Sequence, residues 1–317
     1  MTAVQRAAGF PNPRDAIGKV FKPLALALVR DARASALAIL TDTEGVHHMR
    51  VALRKLRTVL RVFREVYGHF WVEDIRGGLR AAADAAGAVR DEEVFLARVQ
   101  AVKVAGRDAL RRDRWSAGRE KTLARSRVQL MRHLQSGLLE EPLVRLEALL
   151  VLPIVPGRDP EAGVFAAKAC ARAERAVRQR LHAARELHAL HEEGRSPATE
   201  AALAEALHAL RIGYKRVRYT HEIFAEVLPS EASARGKEAK KLQGWLGDVH
   251  DVDVARPKLV AAHTCPAAVR RGITTELEEL ARERLKKIVS SDAWVACEKA
   301  ATQSGEPASD AVVPPAA

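Results

Sequence analysis

Aromatic residues are scarce in this 317-residue chain, in which four Trp, three Tyr and seven Phe make up only 4% of the sequence. Because aromatic and β-branched side chains favour strands, this scarcity favours helices, and Ala, Leu, Arg and Glu supply strong helix formers. No alternating apolar stretch is bounded by turn residues in the way a strand requires. The sequence therefore predicts an all-α fold.

Cysteines and long apolar runs are also few. The three cysteines are far apart and form no CxxC pair, which argues against a disulfide framework and a structural zinc site. The longest apolar candidate, residues 148–157, is interrupted by Pro153 and Pro156 and is shorter than the roughly 20 residues that cross a bilayer. The first residues lack the apolar stretch of a secretion signal. We therefore expect no membrane partner and a cytoplasmic location.

Positive charge is in excess, with 52 Lys and Arg against 40 Asp and Glu and a formal net charge of +12. Such an excess attracts polyanions, and nucleic acid, anionic lipid and a phosphate polymer are the candidates. Composition alone does not choose among them. With 48% hydrophobic residues the chain can nevertheless pack a sizeable core.

Helical periodicity extends from about Arg14 to about Ala301. Residues 151–163 concentrate three prolines and two glycines, which predicts a linker between a first half, 14–150, and a second half, 164–301. Residues 302–317 lack an apolar face and end in a proline pair and two alanines. This composition predicts a disordered tail.

An internal repeat relates the two halves. HHMRVALRKLRTVLRVF begins at His47 and HALRIGYKRVRYTHEIF at His208, an offset of 208 − 47 = 161 residues. GAVRD at 87–91 likewise matches GDVHD at 247–251, and in each we expect the Gly to end one helix and the Asp to open the next. Two tandem copies predict two pseudo-symmetric helical bundles that pack together.

Basic residues follow one face of the helix predicted in the first motif, at alternating spacings of three and four. Apolar residues border this stripe on both sides, so we expect the cations to point into a groove between the halves. Arginine stems on a solvated face would give the same pattern once, but the second motif repeats it. The first stripe comprises His47, Arg50, Arg54, Arg57, Arg61 and Arg64, and the second His208, Arg211, Lys215 and Arg218.

Two weaker basic stripes are secondary binding candidates. Neighbouring acidic residues would make either stripe an ordinary exposed face, and residues 116–118 are a candidate interruption of the first. One comprises Arg107, Arg111, Arg114, Lys121, Arg125 and Arg132, and the other Lys168, Arg172, Arg175 and His182.

The paired His/Arg motifs, followed by GAVRD and by LGDVHD, resemble the CHAD family, the conserved histidine α-helical domain, over residues 14–301. The resemblance implies two pseudo-symmetric helical bundles around a basic central channel that binds inorganic polyphosphate. It also implies association with polyphosphate granules, as in some bacteria, and neither enzymatic activity nor a cofactor. Family members often accompany a CYTH β-barrel, but this chain has no predicted strands, so we expect the CHAD-like domain to stand alone.

Carried over by position, the resemblance implies ligand contacts in both motifs. Helical angle separates Lys55 and Arg216 from the stripes, and we rank them with Arg111, Lys121, Arg125 and Arg172 as secondary candidates. The chain departs from the family pattern at Ala86, where Leu is expected, and has His250 where the first copy has Arg90. The primary candidates are His47, Arg50, Arg54, Arg57, His208, Arg211, Lys215 and Arg218, to which the first stripe adds Arg61.

Two other functions stay open. Binding of nucleic acid through its backbone alone is the second candidate, although neither motif is expected to interleave stacking aromatics with its cations. A metal-dependent phosphohydrolase is the third candidate, because His250 and Asp251 resemble a metal-binding pair. Their counterparts in the first copy are Arg90 and Asp91, however, and Arg is not an ordinary metal ligand, which argues against this function. We assign no catalytic residue and no metal ligand, leave the oligomeric state open, and expect solvated positions for His182, His188 and His191.

Overall fold

The computed structural model describes residues 12–155 and 157–297. Within these residues the chain forms the nine α-helices given below, with further helical residues at 292–297, and no strand, which confirms the all-α prediction. The one isolated bridge among the described residues joins Ala16 to Glu161. The predicted tail, 302–317, and residues 298–301 lie outside the described residues. The helices are α1 (Ile17–Leu37), α2 (Gly45–Tyr67), α3 (His69–Ala101), α4 (Gly106–His133), α5 (Glu140–Val151), α6 (Ala162–Glu193), α7 (Pro197–Ile223), α8 (Ser230–Ala261) and α9 (Ala267–Val289).

Helices α1 to α5 pack around the apolar face of α2. Each of α1 and α3 lies against α2, and α4 and α5 pack on α3. Gly68, with φ of 92°, makes the turn from α2 to α3, a conformation that favours glycine. The predicted apolar stripe of α2 is buried: Met49, Leu53, Leu56, Leu60 and Phe63 are all at most 1% exposed.

Helices α6 to α9 pack in chain order, each against the next. The start of α7 is fixed by a capping box, in which the backbone N–H of Thr199 donates to Oγ of Ser196, and by Pro197 in the first turn. Leu210 and Tyr214 of α7 are buried, in agreement with the apolar stripe of the second motif.

Helix boundaries recur at the spacing of the sequence repeat. Helix α8 begins 230 − 69 = 161 residues after the start of α3, and α9 begins 267 − 106 = 161 residues after the start of α4.

The connection between α5 and α6 runs from residue 152 to residue 161, so the predicted linker end at 163 falls inside α6. Oδ1 of Asp159 accepts a hydrogen bond of 2.8 Å from the backbone N–H of Gly18, which ties this connection to α1.

The two sets of helices share their cores. Phe63 of α2 lies 4.1 Å from Phe21, 5.2 Å from Phe165 and 5.9 Å from Phe224, measured between ring centroids. A separate apolar cluster joins Phe95 of α3 to residues of α8 and α9. Phe21, Phe63 and Phe165 belong to α1, α2 and α6, and Phe224 directly follows α7. The four rings therefore fix α2 against the end of α7.

Gly87 and Gly247, which occupy matching positions of the internal repeat, have a different role from the one predicted. Both residues lie inside helices, α3 and α8, so the prediction that they end a helix was wrong. A Cβ atom on Gly87 would lie 3.1 Å from Nη1 of Arg50, and one on Gly247 would lie 3.6 Å from Nε of Arg211. Gly87 therefore leaves room for the guanidinium of Arg50, whereas a Cβ on Gly247 would make an ordinary van der Waals contact with Arg211. Residues 116–118 likewise lie within α4 and do not interrupt it.

Candidate functional site

Helices α2, α3, α6 and α7 line one cavity of about 670 Å³ that is open to solvent, and we call it the basic cavity. Nine basic and two acidic side chains line it, so its walls carry a large excess of positive charge. The basic residues are Arg50, Arg54, Arg57, Arg61, Arg64, Arg76, Arg172, Lys215 and Arg216, and the acidic ones are Glu65 and Asp84.

Helix α2 supplies more than half of these cations, because its alternating spacing puts five arginines on one face. Among the described residues, no carboxylate forms an ion pair with Arg54, Arg57 or Arg61. Burial, and after it the positive charges of Arg76 and Arg216, together lower the pKa of Arg61 to about 10. Arg61 still carries its full charge at neutral pH, so these like charges repel one another across the cavity.

Lys215 of α7 lies among the arginines of the cavity wall. Burial, and after it the positive charges of Arg54, Arg211 and Arg57, together lower the pKa of its ammonium group to about 8. A lysine with such a pKa is partly neutral just above physiological pH, unlike an exposed lysine.

Arg50 is held in place by α3. Its Nη1 donates a hydrogen bond to the carbonyl oxygen of Ala83, and its guanidinium lies against Gly87. Burial lowers the pKa of Arg50, while Asp91 raises it. In the second motif Arg211 lies against Gly247 in the corresponding way, but it does not line the basic cavity.

The histidines of the two motifs lie outside the basic cavity. The ring of His208 is 4.3 Å from that of His250, between centroids, and Nδ1 of His208 is buried without a hydrogen-bond partner. Burial lowers the pKa of His47, as does the positive charge of Arg90. Burial also lowers the pKa of His250, with contributions from His208 and Arg211. The charged forms of His47 and His250 are therefore disfavoured. The structure brings neither motif histidine, His47 or His208, into the cavity.

Comparison with known proteins identifies the family of this chain. A CHAD domain family model matches residues 24–260. The chain belongs to the CHAD domain family. No curated protein matches the sequence.

Two solved structures resemble this CHAD protein. The CHAD domain from the plant Ricinus communis has a TM-score of 0.66 at 20% identity and covers 92% of this chain and 95% of its own. PptA from Streptomyces chartreusis has a TM-score of 0.57 at 15% identity and covers 90% of this chain and all of its own. At these identities the likeness shows a shared helical fold.

Among the primary candidates in the described part of the chain, Arg218 is the one that forms an ion pair with a carboxylate. Its Nε donates to Oε1 of Glu222 over 2.7 Å, and its Nη1 donates to Oε1 of Gln243 over 3.0 Å. Arg218 does not line the basic cavity, although its counterpart in the first motif, Arg57, does. The second motif therefore contributes fewer free cations than the first.

The secondary candidates fall into two groups. Arg172 and Arg216 line the basic cavity, and Nη1 of Arg172 donates to Oε1 of Glu65 over 2.6 Å, which joins α6 to α2. Lys55 does not line it. Arg111, Lys121 and Arg125 lie on the exposed face of α4, together with Arg107, Arg114 and Arg132.

Two lining residues were missed from the sequence. Arg76 of α3 pairs with Glu73 and lines the cavity. The repeat offset aligns Arg76 with Lys237 (237 − 161 = 76), so both halves have a basic residue at this position, and that shared charge could have identified Arg76 from the sequence.

Tyr219 lies under the guanidinium groups of Arg54 and Arg218, at 5.8 and 5.1 Å from its ring centroid. The expectation that neither motif interleaves an aromatic with its cations was therefore wrong.

Neither a metal-ligand cluster nor a membrane-spanning helix occurs in the described part of the chain. No group of three or more His, Cys, Asp or Glu side chains converges there to hold a metal ion. Of the histidines expected on solvated faces, His182 is exposed and pairs with Glu186 at 3.3 Å, whereas His188 packs edge-on against Trp294. None of the helices in residues 12–155 and 157–297 is both long and apolar enough to cross a membrane.

Proposed function

We propose that this CHAD protein binds inorganic polyphosphate in the basic cavity, as a non-enzymatic protein of polyphosphate granules in the cytoplasm. The observation that supports the proposal is the charge of the cavity wall, where nine basic side chains face two acidic ones. Arg54, Arg57 and Arg61 have no carboxylate partner among the described residues, so an anionic ligand would relieve their mutual repulsion.

Polyphosphate matches this wall better than nucleic acid does. It carries a negative charge on every unit and no bases, and an arginine can donate two hydrogen bonds to the oxygens of one phosphate. Single-stranded nucleic acid would use aromatic faces for stacking. Tyr219, the one aromatic side chain that lines the basic cavity, is only 7% exposed and is covered by arginines.

We also propose that residues 14–150 and 164–301 are two copies of one helical unit and that the basic cavity is the central channel expected of the family. Both halves supply its lining, α2 and α3 from the first and α6 and α7 from the second. The helix starts at the repeat spacing support this arrangement.

A competition titration at fixed salt tests the proposal. Labelled long-chain polyphosphate is displaced with unlabelled polyphosphate, DNA or RNA at equal phosphate concentration, because charge-driven affinity depends steeply on ionic strength. We expect only polyphosphate to compete well near physiological salt. Equal competition by DNA or RNA would instead indicate a general polyanion-binding protein. The length of the polyphosphate, followed on gels with and without Mg²⁺, should stay constant if the protein is not an enzyme.

A pair of charge-matched variants places the binding in the cavity. Replacing both Arg54 and Arg57 by Gln removes two cavity cations, whereas replacing both Arg111 and Arg125 removes two from the exposed face of α4. Since a hydrogen bond to a charged group contributes about 1.5–3 kcal/mol, the first variant should lose at least about tenfold in affinity. The second should stay close to the unmodified protein. Equal losses in the two variants would contradict the assignment to the cavity.

A further inference from the structure

The amine of Lys215 has unusual surroundings. It lies in the wall of the basic cavity, and Arg54, Arg211, Arg57 and Arg50 are the charged groups that act most strongly on it. Among the described residues no carboxylate pairs with it. Lys215 thus combines access to a cavity, the absence of a counter-ion and a set of neighbouring guanidinium groups that attract phosphate.

We propose that Lys215 is a site of covalent acylation by small acyl phosphates, whose phosphate group the surrounding arginines hold beside the amine. The inference rests on the proposed binding of phosphate anions in the same cavity and adds a chemical modification to it. An acyl phosphate joins in one molecule the anion that this cavity attracts and a carbonyl carbon that an amine can attack.

The reaction needs no further reagent. The neutral amine of Lys215 attacks the carbonyl carbon, a C–N bond forms, and the C–O bond to the phosphate breaks. The nitrogen gives up one proton to the departing phosphate, which leaves as hydrogen phosphate, and an N-acyl-lysine is the product. Arginines next to the phosphate stabilise the charge on the leaving group. The pKa of Lys215 starts from the lowered value of the free protein, so a share of the amine stays neutral even though the bound phosphate raises that pKa.

Acylation would also change the proposed polyphosphate site. It removes one positive charge from the wall and adds an uncharged group to the cavity. We therefore expect acylated protein to bind polyphosphate more weakly than unmodified protein. Abundant acyl phosphate would then release polyphosphate from this protein.

Peptide mass spectrometry on the folded, full-length chain tests the inference. The protein is treated at pH 7.5 with acetyl phosphate or with p-nitrophenyl acetate, which carries no phosphate, and the labelling rate of each lysine is followed. Lys240, an exposed lysine of α8 outside the cavity, is the internal reference. Because the pKa of Lys215 is lowered to about 8 and the neighbouring arginines hold the phosphate group beside its amine, we expect acetyl phosphate to label it at least about tenfold faster than Lys240.

The two reagents separate phosphate binding from simple reactivity. Acetyl phosphate should prefer Lys215 over Lys240 more strongly than p-nitrophenyl acetate does, and Arg57→Gln should reduce that difference. Equal preference with both reagents, or no preference for Lys215, would overturn the inference.

Direct binding measurements on the same sample keep the two proposals apart. Tight polyphosphate binding without preferential labelling of Lys215 would overturn this inference and leave the proposed function in place. Preferential labelling of Lys215 by acetyl phosphate in a protein that does not bind polyphosphate would support this inference and overturn the proposed binding of polyphosphate. In Lys215→Arg, treatment with acetyl phosphate should leave the polyphosphate affinity of that variant unaltered, because the guanidinium does not react.

Discussion

Glu222 of α7 occupies the repeat position of Arg61 in α2 (222 − 161 = 61), and its Oε1 accepts a hydrogen bond of 2.7 Å from Nε of Arg218. A positive charge of the first motif is thus replaced by a negative one in the second. Arg218 is held by this carboxylate and does not line the basic cavity. The cavity consequently has five arginines from α2 but only Lys215 and Arg216 from α7.

Removing the charge of Glu222 should strengthen polyphosphate binding. In Glu222→Gln the guanidinium of Arg218 loses its ion pair, and we expect an increase of a few-fold in affinity, about 0.5–1 kcal/mol. Glu205→Gln changes the net charge equally at an exposed position of α7 and is the control. The same increase in both variants would show that net charge, and not the release of Arg218, is responsible.

Gly87→Ala should separate stability from binding. Alanine favours a helix by about 1 kcal/mol over glycine, but here its Cβ would lie 3.1 Å from Nη1 of Arg50 and displace the guanidinium from the carbonyl of Ala83. We expect weaker polyphosphate binding with a smaller gain in stability than at an open site. Gly77→Ala in the same helix, where nothing lies within 4 Å of the new Cβ, should give the full gain and unchanged binding. Denaturation and titration of both variants measure the two effects, and identical behaviour would contradict this role of Gly87.

Polyphosphate binding should take up protons near pH 8. An anion next to Lys215 favours its charged form, so binding raises the pKa of Lys215 from about 8 in the free protein. Affinity should therefore fall as the pH rises through 8, while Arg61, with a pKa of about 10, remains charged. Calorimetry at pH 8 in two buffers of different ionisation enthalpy measures the uptake, which Lys215→Arg should abolish. Equal uptake by that variant would assign the proton to another group.

The contact between His221 and Glu174 should stabilise the packing of α6 against α7. His221 is only 4% exposed, and its Nε2 lies 2.9 Å from Oε1 of Glu174, which also pairs with Arg235 of α8 at 3.2 Å. His221→Ala removes this buried partner and should lower the free energy of unfolding by about 2–3 kcal/mol. His182→Ala breaks an exposed contact with Glu186 and should cost less than about 0.5 kcal/mol. Urea denaturation of both variants tests the difference, and comparable losses would contradict it.

The features that depend on helical period alone could be predicted from the sequence. The spacing of three and four residues placed Met49 in the core and Arg54 in the wall of the cavity. The role of Gly87 could not be predicted in this way, because a glycine that ends a helix and a glycine that admits a neighbouring side chain look alike in sequence. His47 illustrates a second limit: it shares a stripe with Arg54 but lies in the first turn of α2, beside Arg90 of α3 and away from the cavity. Only the packing of several helices decides which part of a stripe faces a cavity.

The phenylalanine cluster also determines when this protein can fold as it is synthesised. Phe63 buries its ring against Phe21, Phe165 and Phe224, and Phe224 follows Phe21 by 224 − 21 = 203 residues. The apolar face of α2 lacks Phe165 until α6 has left the ribosome and Phe224 until α7 has, while the arginines on its other face are already in solution. Contacts this distant in sequence form late and slowly. During that interval the nascent chain presents an unshielded row of cations to ribosomal RNA, the most abundant polyanion near it.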